Sequence, residues 1–251
     1  MYPLIPISES ISIPTYLLII SLTYCFSIFW VLKRAQKFEY NTKLALDICL
    51  TIMIGGFIGA RALHILYEEP SYYLENPLDI FKVWQGGFVF YGGAIAAFFS
   101  TAFLIKKRGE NLFQWLDLFA PIAAGGYAMG RLACFFNGCC YGKACQLPWA
   151  VQFPPSLHSH ETILRHPTQL YAFSWEIILL ILLLLLEKRK TLKTPGHLFL
   201  TWTSLHSIGR LIMETFRDDN RGHFILNQSI STWLSLIILT TSLYYLKKTK
   251  T

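Results

Sequence analysis

Gly130-Arg-Leu-Ala-Cys-Phe-Phe-Asn-Gly-Cys-Cys-Tyr-Gly142 closes the fourth of seven long apolar runs and carries an arginine, Arg131, inside it. An ionisable side chain within a membrane span costs at least about 2.5 kcal/mol, so it persists mainly where it faces a polar cavity or a ligand. Whether this run is a span therefore decides both the fold and the standing of Arg131. The 251 residues are 53% hydrophobic and only 15% charged, whereas soluble domains are about 25% charged. Runs long enough to cross a hydrocarbon core, roughly 17 to 25 helical residues, lie near 15–32, 44–66, 87–105, 113–136, 168–186, 197–216 and 229–246. These imply an all-α polytopic membrane protein with seven transmembrane helices, forming a single domain over residues 1–251.

The net charge of +7 could suggest a nucleic-acid partner, but the positions of the cations argue otherwise. Fourteen lie after the first, third, fifth and seventh runs: Lys33, Arg34, Lys37, Lys43, Lys106, Lys107, Arg108, Lys188, Arg189, Lys190, Lys193, Lys247, Lys248 and Lys250. Five lie on the opposite side of an alternating topology: Lys82, Lys143, Arg165, Arg217 and Arg221. This is the positive-inside bias, with the N-terminus periplasmic and the C-terminus cytoplasmic. The charge orients the chain, so no nucleic acid is expected as a partner, and a monomer is expected. Residues 1–13 lack the basic start of a cleavable signal, so the first run is expected to remain as an anchor. Elaborate chemistry is expected outside, in segments 67–86, 137–166 and 217–228. Segment 67–86, with Tyr72, Tyr73 and Trp84, suits a helix in the interface, with Glu68 and Glu69 as a solvated rim. Segment 137–166, rich in Pro and aromatic residues, reads as a small periplasmic head or cap with a short hairpin.

The remaining three cations, Arg61, Arg131 and Arg210, lie five or six residues before the outer ends of runs two, four and six. At 1.5 Å rise per residue, all three sit roughly 7 to 9 Å below the outer boundary. One such arginine can snorkel to headgroups; three at one depth describe a cationic pocket whose forked guanidiniums suit a phosphate, here a phospholipid headgroup. Glu214, four residues after Arg210, is placed to pair with it. Tyr16, Tyr91, His166, Gln169 and Tyr171 open runs one, three and five at the same level. Asp47, Asp117 and His197 are expected to cap helices or pair near the inner ends. His64 and His206 read as packed core histidines, and His158, His160 and His223 as loop surface. Cys134, Cys139, Cys140 and Cys145 form a weak metal pattern, and a disulfide from Cys145 to one of the adjacent pair suits them better. No motif calls for a metal, nucleotide or other cofactor.

Gly-Arg-x2-Cys-Phe-Phe-Asn-Gly after the fourth run, His-Pro-Thr-Gln-Leu-Tyr at the fifth, Phe-Tyr-Gly-Gly at the third and Gly-Arg-Leu-Ile-Met-Glu-Thr-Phe-Arg in the sixth together resemble the prolipoprotein diacylglyceryl transferase family. The resemblance implies a bacterial inner-membrane enzyme with its active site toward the periplasm. Such an enzyme moves the diacylglyceryl group of phosphatidylglycerol to a lipobox cysteine thiol and releases glycerol 1-phosphate. By motif, Arg131 and Arg210 correspond to the essential arginines, Asn137 and Gly142 to the signature, and Glu214 and Arg217 to the acid and second arginine of the sixth span; Tyr16 is similar to a first-span tyrosine. Tyr91 stands where many members have a histidine proposed as the thiol's base, Cys134 where asparagine is usual, and Cys139 where an acid often follows Asn-Gly. The site expected is catalytic Arg131, Arg210, Tyr91 and Glu214, with Arg61, Asn137, Gly142, Tyr16, His166, Gln169 and Arg217 binding substrate, and with Tyr91 or His166 passing the thiol's proton outward. Other readings stay open here: a diverged member acting on another acceptor thiol, a non-catalytic lipid-binding membrane protein, and a thiol/disulfide membrane protein using the cysteines.

Overall fold

The computed structural model describes residues 3–6, 8, 12–153, 163–189, 194–218, 224–226 and 228–248. His158, His160 and His223, with Lys190, Lys193, Arg221 and Lys250, fall outside these. A short hairpin, β1 (Leu4–Pro6) with β2 (Ser12–Pro14), leads into α1 (Thr15–Lys37), then α2 (Thr42–Leu63) continued by a π-turn at His64–Glu68. There follow α3 (Pro70–Glu75), 3-10 turns at Pro77–Phe81 and Val83–Gln85, α4 (Phe90–Lys107) and α5 (Leu112–Asn137). The hairpin strands β3 (Val151–Gln152) and β4 (Leu164–Arg165) precede α6 (Thr168–Lys188) and α7 (His197–Phe216), and the chain closes with β5 (Phe224–Ile225), β6 (Gln228–Ser229) and α8 (Ile230–Lys248).

The long helices coincide with the apolar runs because the runs end on residues that cannot continue them. Asn41 caps α2, its Oδ1 accepting from the N–H groups of Lys43 and Leu44 at 3.0 and 3.1 Å, which satisfies donors that the first turn leaves over. Asp117 caps α7 from a distance, accepting from Gly196 N–H at 2.7 Å and Phe199 N–H at 2.8 Å. Among the described residues, Thr15–Lys37, Thr42–Glu68, Leu112–Asn137 and Thr168–Lys188 are long and apolar enough to cross a membrane. Their outward faces carry exposed Phe26, Phe29, Phe57, Ile58 and Ile181. Apolar side chains left bare in this way are stable only against lipid. The chain is an all-α multi-pass membrane protein.

The structure comprises two compact units, residues 31–115 and residues 1–30 with 116–251. In the first, α2 packs along α4. Gly59 and Gly92 face each other so closely that a Cβ on either would run into the other's backbone or its neighbours Ala96 and Leu63, the small-residue contact by which helices approach in lipid. Asp47 pairs with Arg108 at 3.2 Å. Segment 67–86 holds the end of the π-turn, the six-residue α3 and the two 3-10 turns rather than one interfacial helix, yet exposes Leu74, Leu78, Phe81 and Trp84. In the second unit, α7 packs on α6 and α8, with Ala120, Ala124, Leu183 and Leu198 as a buried cluster.

Candidate active site

Three segments of the second unit close on one another beyond the ends of α5 and α7. Gly142 N–H donates to His166 C=O at 2.9 Å, His166 N–H to Lys143 C=O at 3.0 Å, and Lys143 N–H to Phe216 C=O at 2.8 Å. Only glycine fits at 142: a Cβ there would lie 2.7 Å from both the His166 Cβ and the Phe216 oxygen. The segment after α5 is further tied to α6 by Thr168 Oγ1, which donates to Cys140 C=O at 2.7 Å, and by Gln169 Nε2, which donates to Cys139 C=O at 2.6 Å.

These ties frame a cavity lined by Tyr127, Arg131, Cys140, Gln169, Glu176, His206, Arg210 and Arg217, among others. The Arg131 guanidinium lies over the Tyr127 ring, 4.6 Å from its centroid, and has no carboxylate or carbonyl hydrogen-bond partner among the described residues. Arg210 is held from two sides: Nη1 meets Glu214 Oε2 at 2.9 Å and Nη2 donates to Ser231 Oγ at 2.8 Å, with Ser231 donating on to Glu214 at 3.2 Å. Gln169 is 1% exposed, and its Oε1 is a buried acceptor without a partner among the described residues. A cavity with a cation lacking a counter-ion, a second cation rigidly aimed, and an unpaired acceptor is built for an anion carrying a hydroxyl donor.

The other expected residues fall in several places. Tyr16, in the first turn of α1, lies within electrostatic reach of Cys134, Cys139, Cys140 and Arg131. Asn137 ends α5. His166 shares its Nδ1 with Tyr171 Oη at 3.1 Å and packs on Phe216; Tyr171 also accepts from Trp149 Nε1 at 2.7 Å. That aromatic cluster lies off the cavity lining. Tyr91 and Arg61 belong to the other unit. Arg61 is 6% exposed and donates through Nε to Ile80 C=O at 3.2 Å, through Nη1 to Gly86 and Gly87 C=O at 2.6 and 3.2 Å, and through Nη2 to Asp79 C=O at 2.8 Å. His64 Nδ1, beside it, meets Glu68 at 2.6 Å.

All six cysteines are free, so the bridge expected from Cys145 is not formed. Cys145 is instead held by its N–H on Leu164 C=O at 3.0 Å, while Cys139 N–H donates back to Cys134 C=O at 3.2 Å. The sulfurs of Cys134, Cys139 and Cys140 lie within 4.8 Å of one another, a set that could hold a soft thiophilic ion.

The chain matches the prolipoprotein diacylglyceryl transferase family over residues 3–247. It belongs to this family. Relatives named phosphatidylglycerol–prolipoprotein diacylglyceryl transferase include one from Clostridium tetani, 32% identical over 84% of this chain and 83% of its own. One from Polaromonas naphthalenivorans is 36% identical over 79% and 73%, and one from Pseudomonas fluorescens 33% identical over 82% and 76%. Arg131 and Arg210 both line the cavity, together with Arg217.

One pair on the cavity wall was not singled out by the sequence reasoning. Glu176, 1% exposed, meets His206 Nδ1 at 2.6 Å through Oε1 and accepts from Trp202 Nε1 at 3.1 Å through Oε2. The available signal was a lone acid within the apolar run 168–186, which carries the same membrane cost as Arg131.

Proposed function

We propose that the chain transfers the diacylglyceryl group of phosphatidylglycerol to the lipobox cysteine of a prolipoprotein, at the periplasmic face of the bacterial inner membrane, releasing glycerol 1-phosphate. The observation that carries this reading is Arg131: a cation on a cavity wall, stacked on Tyr127 and lacking an anionic partner among the described residues. When the thiol sulfur attacks the glycerol carbon, the C–O bond to phosphate breaks and negative charge gathers on the departing oxygens. Guanidiniums already in place stabilise that charge without reorganising, which water cannot do. Arg210, fixed by Glu214 and Ser231, takes the phosphate from the other side, and Arg217 strengthens the field. Gln169 Oε1 accepts a hydroxyl of the glycerol headgroup. Asn137, Gly142, Tyr16 and His166 support the cavity from outside its lining, His166 C=O holding the Gly142 N–H.

Arg61 enters this reading as the residue that holds segment 79–87 in place. In this topology the seven long helices all span, with the N-terminus outside and segment 137–166 as the cap of a single domain that works as a monomer. A diverged member acting on another acceptor thiol is the nearest second reading, favoured by the three clustered cysteines. The test is rescue of a strain depleted of its own transferase, together with glycerol phosphate release from phosphatidylglycerol and a lipobox peptide. Rescue by both the wild type and a Cys139→Ser/Cys140→Ser variant is expected, and loss of rescue in that variant alone would favour a thiol/disulfide protein that uses these cysteines.

A further inference from the structure

The cavity holds a second arrangement that the phosphate does not need. Glu176 lies on α6 and His206 on α7, and both line the same cavity as Arg131 and Arg210. Both carboxylate oxygens of Glu176 are engaged, one by His206 Nδ1 at 2.6 Å and the other by Trp202 Nε1 at 3.1 Å. A carboxylate that accepts a hydrogen bond from Nδ1–H fixes the imidazole in the tautomer whose Nε2 is an open acceptor. The ring is clamped by Tyr127, edge-on at 4.6 Å, and by Trp202 at 5.5 Å. Nε2 has no partner among the described residues. A buried acid in a lipid-facing helix is costly unless something in the chemistry uses it.

Resting on the transferase reading, we propose that His206, oriented by Glu176, is the base that takes the proton of the acceptor thiol. The S–H proton passes to His206 Nε2 as the sulfur forms its bond to the glycerol carbon. The C–O bond to phosphate breaks, and its electron pair leaves on the glycerol phosphate. The imidazolium then returns its proton to that phosphate or to solvent, so no further reactant is required. The charged and titratable groups facing His206 are Glu176 from α6, Tyr127 and Arg131 from α5, Arg210 from its own helix, and Cys140 and Arg217 at the cavity wall.

The test compares wild type, His206→Ala and the near-isosteric Glu176→Gln in detergent, with phosphatidylglycerol and a lipobox peptide. The rate of glycerol phosphate release is followed from about pH 6 to pH 10, spanning the ionisation of a free thiol near 8.5. His206→Ala is expected to lose about 10²- to 10⁴-fold at neutral pH, the deficit narrowing as alkali ionises the thiol, while KM for the lipid stays put. Glu176→Gln should show the same narrowing with a smaller deficit. A His206→Ala enzyme with the wild-type rate and profile, or with one uniform loss at every pH and a raised lipid KM, would overturn the assignment. If the wild type itself released no glycerol phosphate, the transferase reading would fall first; an active wild type with an unshifted variant profile sinks only the base.

Discussion

Arg61 and Arg131 occupy the same place in the pattern of the sequence, five residues before the end of an apolar run, and the structure surrounds them in opposite ways. Arg61 commits four N–H···O bonds to the carbonyls of Asp79, Ile80, Gly86 and Gly87, and so ties the short turns of this loop to α2. Arg131 rests on an aromatic face and leaves its fork to the cavity. An arginine in an apolar run thus either donates to an irregular backbone, as Arg61 does, or keeps its fork open to a cavity, as Arg131 does. What separates the two is whether carbonyls have already filled the fork.

The largest effect that would test this contrast is on turnover. Arg131→Ala should lower glycerol phosphate release by about 10³-fold while its melting temperature barely moves, and Arg131→Lys should recover only part, since an ammonium cannot grip a phosphate with two parallel bonds. Next comes the mirror experiment. Arg61→Ala should destabilise the protein by about 3 kcal/mol, because it removes four hydrogen bonds from a buried guanidinium to part-buried carbonyls, while release per folded molecule stays within about tenfold of wild type. A stable, inactive Arg61→Ala protein would put Arg61 back among the phosphate ligands. Smaller again is the effect of Glu214→Gln, which loosens Arg210 without removing it and should cost about 1 to 2 kcal/mol, or roughly five- to thirtyfold in kcat/KM. The smallest concerns the loop itself. Lys82 at 2.6 Å and Tyr72 at 2.6 Å hold the Asp79 carboxyl below its usual range. The charged form favours the fold, so this contribution is full above about pH 4, where the unfolded carboxyl is ionised, and is lost as pH falls through the lowered value. Melting curves of wild type and Asp79→Asn should differ at neutral pH and converge in acid.

The long helices were legible because each is an apolar run ended by a charge, proline or capping side chain; the fourth run, 113–136, differs from α5 by one residue at either end. Arg131, Arg210 and the Arg210–Glu214 pair were legible too, since i,i+4 spacing and charge in an apolar run are local signals. The fate of Arg61 was not, because its acceptors are backbone oxygens 18 to 26 residues away in a segment with no periodicity. Glu176 and His206 lie 30 residues apart on different helices, and no single-helix pattern joins them. His206 read as a packed histidine because the packing around its ring is real, and only the partner on α6 reveals the second role.

The central claim is that Arg131 and Arg210 grip one and the same phosphate. A double-mutant cycle on glycerol phosphate release tests it directly, with Arg131→Ala, Arg210→Ala and the pair measured per folded molecule. Shared work on one phosphate predicts strong non-additivity, the double variant falling little further than the worse single variant. Losses that simply multiply would mean that the two guanidiniums act on separate groups, contradicting the single-phosphate cavity.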